Sequence, residues 1–235
     1  MASFRRLIKK ARANWFAGFL IDLVVIVGTA LILSVAIKAF LIRSFYIPSG
    51  SMLETLQIND RIIVNVMVPE LIAVERGDVV VFKDPGGWLG AIQTVEKTPM
   101  QELSDFVLGT FGITAPDSAE HLVKRVIGLP GDTVECCDAE GRIMVNGVAI
   151  DETYVRAGSN PSDIEFSVEV PADSYWVMGD NRGNSTDSRF HQELPSKGFV
   201  AREFLVGRAF VISWPLASWT FLDNFPEVFR DIPKP

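Results

Sequence analysis

The chain has few of the residues that fasten small folds and build metal centres. Its two cysteines, Cys136 and Cys137, are adjacent, so they cannot staple two distant elements. That excludes a disulfide scaffold and a four-cysteine zinc site. Two histidines, His121 and His191, are too few for a histidine-rich metal centre, and no metal or other cofactor is expected. Basic residues are outnumbered, 22 against 29 acidic, giving a formal charge of −7 that argues against nucleic acid as a partner. There is no internal repeat. What is plentiful is apolar: 48 % of the 235 residues are hydrophobic and the mean hydropathy is +0.24, too high for a disordered chain.

The average charge hides a split. Residues 1–43 carry seven basic groups and one acid, Asp22, whereas residues 44–235 carry 15 basic and 28 acidic groups. The same boundary separates two hydropathies. Residues 23–37 contain no charge, and the apolar stretch lengthens if Asp22 is tolerated or Lys38 snorkels to the headgroups. Either reading is long enough for a hydrocarbon core of roughly 30 Å. No small-residue cleavage site follows, so a removed leader fits poorly. The expectation is one transmembrane anchor over 15–42, with 1–14 in the cytoplasm. Arg5, Arg6, Lys9, Lys10 and Arg12 hold that end inside, and the acidic remainder, 43–235, faces outward. A second span over 209–222 is too short and is broken by Pro215. Trp214, Trp219 and Phe221 there read as core aromatics, or as interfacial ones that form an apolar rim with Phe45 and Met52.

The exported part reads as mainly β. Residues 44–84 give loop, strand (61–66), turn and strand (78–82). Residues 85–120 read as a helical insertion, with Thr98 as N-cap, Pro99 at the first helical position and a glycine at the end. Strands return at 123–129, 133–136, 142–145, 175–178 and 199–212, and Asn146-Gly147 marks a tight hairpin. Cys136 and Cys137 are expected as reduced thiols on opposite faces of a strand.

Three segments carry residues suited to chemistry. In Pro48-Ser49-Gly50-Ser51-Met52 a glycine can shape the backbone so that a serine is exposed as nucleophile; a plain linker has the same composition. A serine needs a base, and neither histidine sits in an evident catalytic turn. Lys124 is the alternative. It stands in Leu122-Val123-Lys124-Arg125-Val126-Ile127, where apolar burial would lower its pKa from about 10.4, although strand lysines commonly point to solvent. Lys83 and Lys97 sit in polar settings and are poorer candidates. The third segment, 179–189, is a dense polar loop with the composition of a buried ion-pair framework or of a solvated loop.

Together these segments resemble bacterial type I signal peptidases, the membrane-bound leader peptidases. The matching stretches are Ile47-Pro-Ser-Gly-Ser-Met52, Arg76-Gly-Asp-Val-Val-Val-Phe82, Val123-Lys-Arg-Val-Ile-Gly-Leu-Pro-Gly-Asp132 and Met178-Gly-Asp-Asn-Arg182, running on to Asn184-Ser185 and Asp187-Ser-Arg189. Their order and the preceding apolar helix match too, over roughly residues 15–215. The insertion resembles those of actinobacterial members. Two positions depart from the family: Glu54 stands where proline is usual, and Gly183 where an acid is common.

The resemblance implies a signal-peptidase-like β catalytic domain and a Ser-Lys endopeptidase. It would remove signal peptides from secretory preproteins after small residues in an A-x-A pattern, at the cell membrane and in contact with lipid. Ser51 matches the nucleophile and Lys124 the general base. Ser49, with the Ser51 N–H, matches the oxyanion hole, and Ser185 the hydroxyl that orients the lysine. Asp180 with Arg125, and Asp187 with Arg189, match structural ion pairs. Ile47, Met52, Leu56 and Val123 match the lining of shallow substrate pockets. Two other readings stand beside this one: a self-cleaving Ser-Lys peptidase of the repressor kind, and an anchored β domain that only binds partners.

Overall fold

A computed structural model describes residues 15–90, 120–156 and 158–233, without the side chains at 17, 35, 36 and 38–40. The helix expected at 98–112 therefore lies outside the described residues. The chain divides into two compact units, Met1–Leu41 and Ile42–Pro235. In the first, helix α1 spans Trp15–Phe40, 26 residues that are apolar all round and contain no proline to break it. Among the described residues no helix is long and apolar enough to cross a membrane.

The second unit is mainly β and wholly antiparallel. Its strands are β1 (Ile42–Tyr46), β2 (Arg61–Asn65), β3 (Val79–Lys83), β4 (His121–Gly128), β5 (Thr133–Cys136), β6 (Ile143–Val145), β7 (Val148–Ala149), β8 (Phe166–Glu169), β9 (Ser174–Met178), β10 (Val200–Ala201), β11 (Leu205–Trp214) and β12 (Thr220–Phe221). The large sheet runs β1-β2-β11-β3-β4-β9-β10, with β12 also on β11; the small one runs β7-β6-β5-β8. β1 and β8 fall where the sequence reads as loop. Each pairs in good register, β1 with β2 and β8 with β5, but β1 (Ile-Arg-Ser-Phe-Tyr) does not alternate and β8 does so over only four residues.

Period two explains the packing. Val79 and Val81 of β3 enter one apolar cluster with Phe45, Met52, Leu56, Ile62 and Val64. Val80 and Phe82 enter another, with Leu122, Val126 and Val177. With both faces covered, β3 is a continuous apolar run. The third cluster gathers the small sheet around Trp176 and Met178. The hairpin at Asn146-Gly147 forms as expected, both residues taking positive φ, 52° and 77°.

Two expectations are corrected here. Cys136 and Cys137 are joined to each other. Cys136 is the last residue of β5, so the alternation that would keep the sulfurs on opposite faces ends there. The C-terminal aromatics are not core: Trp214, Trp219 and Phe221 are more than half exposed, whereas Phe45 and Met52 are buried and form no rim with them. They lie at the tail of β11 and on β12, past the strands that cover the core.

Candidate active site

The loop after β1 presents Ser51. Two backbone bonds tie its start to the turn before β2, from Ile47 N to Asp60 O and from Asn59 N to Ile47 O, each 2.9 Å. A tight turn follows, with Leu56 N donating to Met52 O at 2.7 Å, and Met52 and Leu56 anchor it in the core. Glu54 is exposed in this turn at φ 78°, a conformation proline cannot adopt.

Lys124 comes from the middle of β4 and is 4 % exposed. Its Nζ donates to Ser51 Oγ at 2.8 Å and to Val123 O at 3.0 Å. Burial pulls the ammonium down from 10.5 to about 8, and Asp187 and Asp180 pull the other way. The pair thus has nucleophile-base geometry with a lysine that is partly neutral near physiological pH. Ser49 Oγ lies 3.5 Å from Ser51 Oγ, on the same side of the loop.

The loop after β9 closes the site from behind. Asn181 N donates to Ser51 O at 3.1 Å and Asn181 Nδ2 to Gly50 O at 2.8 Å, clamping the serine's peptide unit. At Gly179 a Cβ would come within 2.5 Å of Ser51 O and 2.2 Å of Ser185 Oγ, so only glycine lets the two loops approach. Ser185 is buried here, but it does not hold the lysine as expected. It makes no hydrogen bond of good geometry, and Lys124 Nζ is engaged by Ser51 and Val123 instead. Its hydroxyl faces Asp187 and helps to lower that carboxyl.

Arg125 and Asp180 form a fully buried fork, Nε to Oδ1 at 2.9 Å and Nη2 to Oδ2 at 2.7 Å. Arg125 Nη1 also donates to Gly77 O at 2.6 Å. Gly77 sits at φ 87° with Asn224 O where a Cβ would be, so no other residue fits that acceptor's place. Arg189 and Asp187 make a second fork at 2.8 Å, and Asp187 accepts from Gly179 N at 2.9 Å. Burial pushes the Asp187 carboxyl up, but Arg189 outweighs it and holds the group below the usual range. Sequence reasoning missed a third fork, between Arg182 and Glu152, and missed Thr55, whose hydroxyl bonds Asp180 and accepts from Arg125. Thr55 could have been noticed one turn past Ser51. Glu152 lies 30 residues from its partner with no local pattern to mark it.

In front of Lys124 lies a pocket of about 130 Å³, lined by Ile47, Met52, Val123, His121 and Leu89 among others. Leu56, expected there, is fully buried beneath it in the core. One wall is the β1 end, residues 45–49, and the other is the start of β4, residues 121–124. β9 pairs with β4 only from Arg125 onward, so the first half of β4 offers a backbone edge to the pocket.

With this geometry in hand, the likenesses are specific. The family described as "Signal peptidase, peptidase S26" matches residues 20–214. A probable signal peptidase I-2 of Synechocystis sp. is 40 % identical over 189 residues, 80 % of this chain and 70 % of the relative. Signal peptidase I of Mycobacterium tuberculosis is 33 % identical over 218 residues, 84 % of this chain and 74 % of the relative. A crystal structure of a signal peptidase I from Enterococcus faecalis aligns with 57 % of this chain and 95 % of its own at a TM-score of 0.36 and 25 % identity.

Proposed function

From the premise that the chain belongs to the signal peptidase family, peptidase S26, we propose that it cuts preproteins with a Ser51–Lys124 dyad. It is a serine endopeptidase that removes signal peptides from secretory preproteins. The observation that carries the dyad is the 2.8 Å contact between the buried Lys124 Nζ and Ser51 Oγ, both on the pocket lining.

Neutral Lys124 takes the Ser51 proton as Oγ attacks the carbonyl carbon of the scissile bond. The oxyanion receives the Ser49 hydroxyl and the Ser51 N–H, each donor worth roughly 3–4 kcal/mol in such sites. The lysinium gives its proton to the leaving amine, the C–N bond breaks, and the mature protein departs. Lys124 then deprotonates a water that attacks the acyl-serine ester, releasing the signal peptide and restoring Ser51. The ion pairs of Arg125 and Arg189 keep the β9 loop rigid behind this exchange.

Substrate lies extended between the β1 end and the free edge of β4, completing the sheet with backbone hydrogen bonds. β1 and β4 both run toward the dyad, which fits a substrate strand parallel to both. Alternate side chains then face a pocket of about 130 Å³ walled by Ile47, Met52 and Val123, which admits small residues at the first and third positions before the cut. Helix α1 is the anchor. Its 26 residues rise about 39 Å, and it has no polar face to turn toward water. It holds the catalytic unit on the outer surface against lipid, its N-terminus in the cytoplasm.

The test is cleavage of a preprotein and of a short A-x-A peptide by Ser51→Ala and Lys124→Ala. Each is expected to lose activity by roughly 10³-fold or more, and the double variant to be no worse than either, since the two act as a unit. Substantial cleavage by Ser51→Ala would sink the mechanism.

A further inference from the structure

Behind the dyad lie six buried ions rather than the four of the two expected ion pairs. The third fork joins Arg182, fully buried, to Glu152, whose side chain is 5 % exposed. Arg182 Nη1 meets Glu152 Oε2 at 2.6 Å, and Nη2 meets Oε1. The Tyr154 hydroxyl donates to the same Oε1 at 2.6 Å, while its ring lies under the Arg125 guanidinium, 4.2 Å from the centroid. Burial and Glu152 together push that phenol up, so it stays a donor. One short segment after β7 thus touches two of the three arginines.

The fork is wired to the site. Arg182 Nε donates to Gly179 O at 3.0 Å, on the residue packed against Ser51. Arg182 O accepts from Arg189 at 3.0 Å, and Arg189 holds Asp187. Asp187 and Asp180 are the two acids whose fields reach Lys124. Three guanidinium groups and three carboxylates sum to zero, so the frame is balanced only with Glu152 included.

We propose that Glu152 is a positioning residue for the proton transfer: its charge completes a neutral six-ion frame behind the dyad and so sets how readily Lys124 gives up its proton. Without that carboxylate, Arg182 is a buried cation with no counter-ion. It turns toward Asp180 and Asp187, drawing their fields away from Lys124 and adding positive charge to the frame. Both effects disfavour the ammonium. The other groups around Lys124 do not supply the missing charge. On β4 these are His121 and Arg125; beyond β9, His191, stacked on Trp88; before β3, Asp78, engaged by Arg208. Glu54, in the serine's turn, is exposed.

The inference rests on Lys124 being the base, and the experiment separates the two ideas. The pH dependence of kcat/KM is measured on the full chain in detergent with an A-x-A peptide for wild type, Glu152→Gln, Glu152→Asp and Glu152→Gln/Arg182→Gln, with Ser51→Ala as control. Glu152→Gln is expected to move the acidic limb down by about one pH unit. Glu152→Asp, which keeps the charge, leaves the limb in place even if it melts earlier. The double variant, having lost both charges, returns the limb to the wild-type position. A merely structural Glu152 would lower thermal stability in all three without moving the limb in Glu152→Gln. If Glu152→Gln does not fold, the double variant decides: a limb displaced from wild type overturns the proposal. An unmoved limb in folded Glu152→Gln also overturns it. Activity in Ser51→Ala overturns the dyad instead.

Discussion

Lys124 has two unlike sides. In front is an apolar pocket walled by Ile47, Met52 and Val123; behind are three arginine–carboxylate forks, of which the carboxylates of Asp180 and Asp187 act on it directly. The front removes water and so disfavours the ammonium, while the acids behind partly restore it. Had both sides been apolar, the lysine would be neutral but unguided; had both been charged, it would stay protonated. Joined back to front, they bring the group to about 8 and hold its Nζ 2.8 Å from Ser51 Oγ.

Three changes test this division. The largest effect comes from breaking the back. Asp180→Ala strips Arg125 of its partner in a fully buried position, and removal of one member of such a pair costs about 3–5 kcal/mol. Denaturant unfolding should show that loss, together with inactivation. The next breaks the front. Val123→Asp puts an anion on the pocket wall beside Lys124, favouring the ammonium, so the acidic limb of kcat/KM should rise by about one unit. The wild-type limb itself has a defined sense: only the neutral lysine acts and its value is about 8, so activity should fall tenfold per unit below that pH. A limb centred near pH 10 would mean the front does not desolvate the group. The smallest effect concerns the turn that connects the two sides. Glu54 is exposed at φ 78°, and Glu54→Gly should raise stability by about 1 kcal/mol with little change in rate, read as a shift in melting temperature.

Much of the front was legible in the sequence, and part of the back. The serine turn, β3 and β4 announce themselves as short apolar or glycine-marked runs, because local pattern and burial coincide there. Arg125, Asp180, Asp187 and Arg189 pair within or between neighbouring motifs. Glu152 and Tyr154 were not legible: their role depends on a contact made only when the segment after β7 folds over the β9 loop. Leu56 was expected at the pocket from the resemblance alone, and a motif match does not say on which side of a wall a residue lies. Trp214 and Trp219 could be read as core or as interfacial, and composition did not decide between the two; both lie at the surface. Ser185 shares the limit: its place in the loop could be read, but the direction of its hydroxyl could not.

The register of β3 and β4 has a consequence for the placing of Lys124. Lys83 and His121 are direct partners, so residues 84–120 leave and rejoin the sheet at neighbouring points. Up to Leu89 that excursion is tied down, by Asp84 accepting from Gly86, Trp88 and Leu89 and by Trp88 stacking on His191. The place of Lys124 is therefore set by the ladder itself, with Val80 opposite it three positions in from the Lys83–His121 pair.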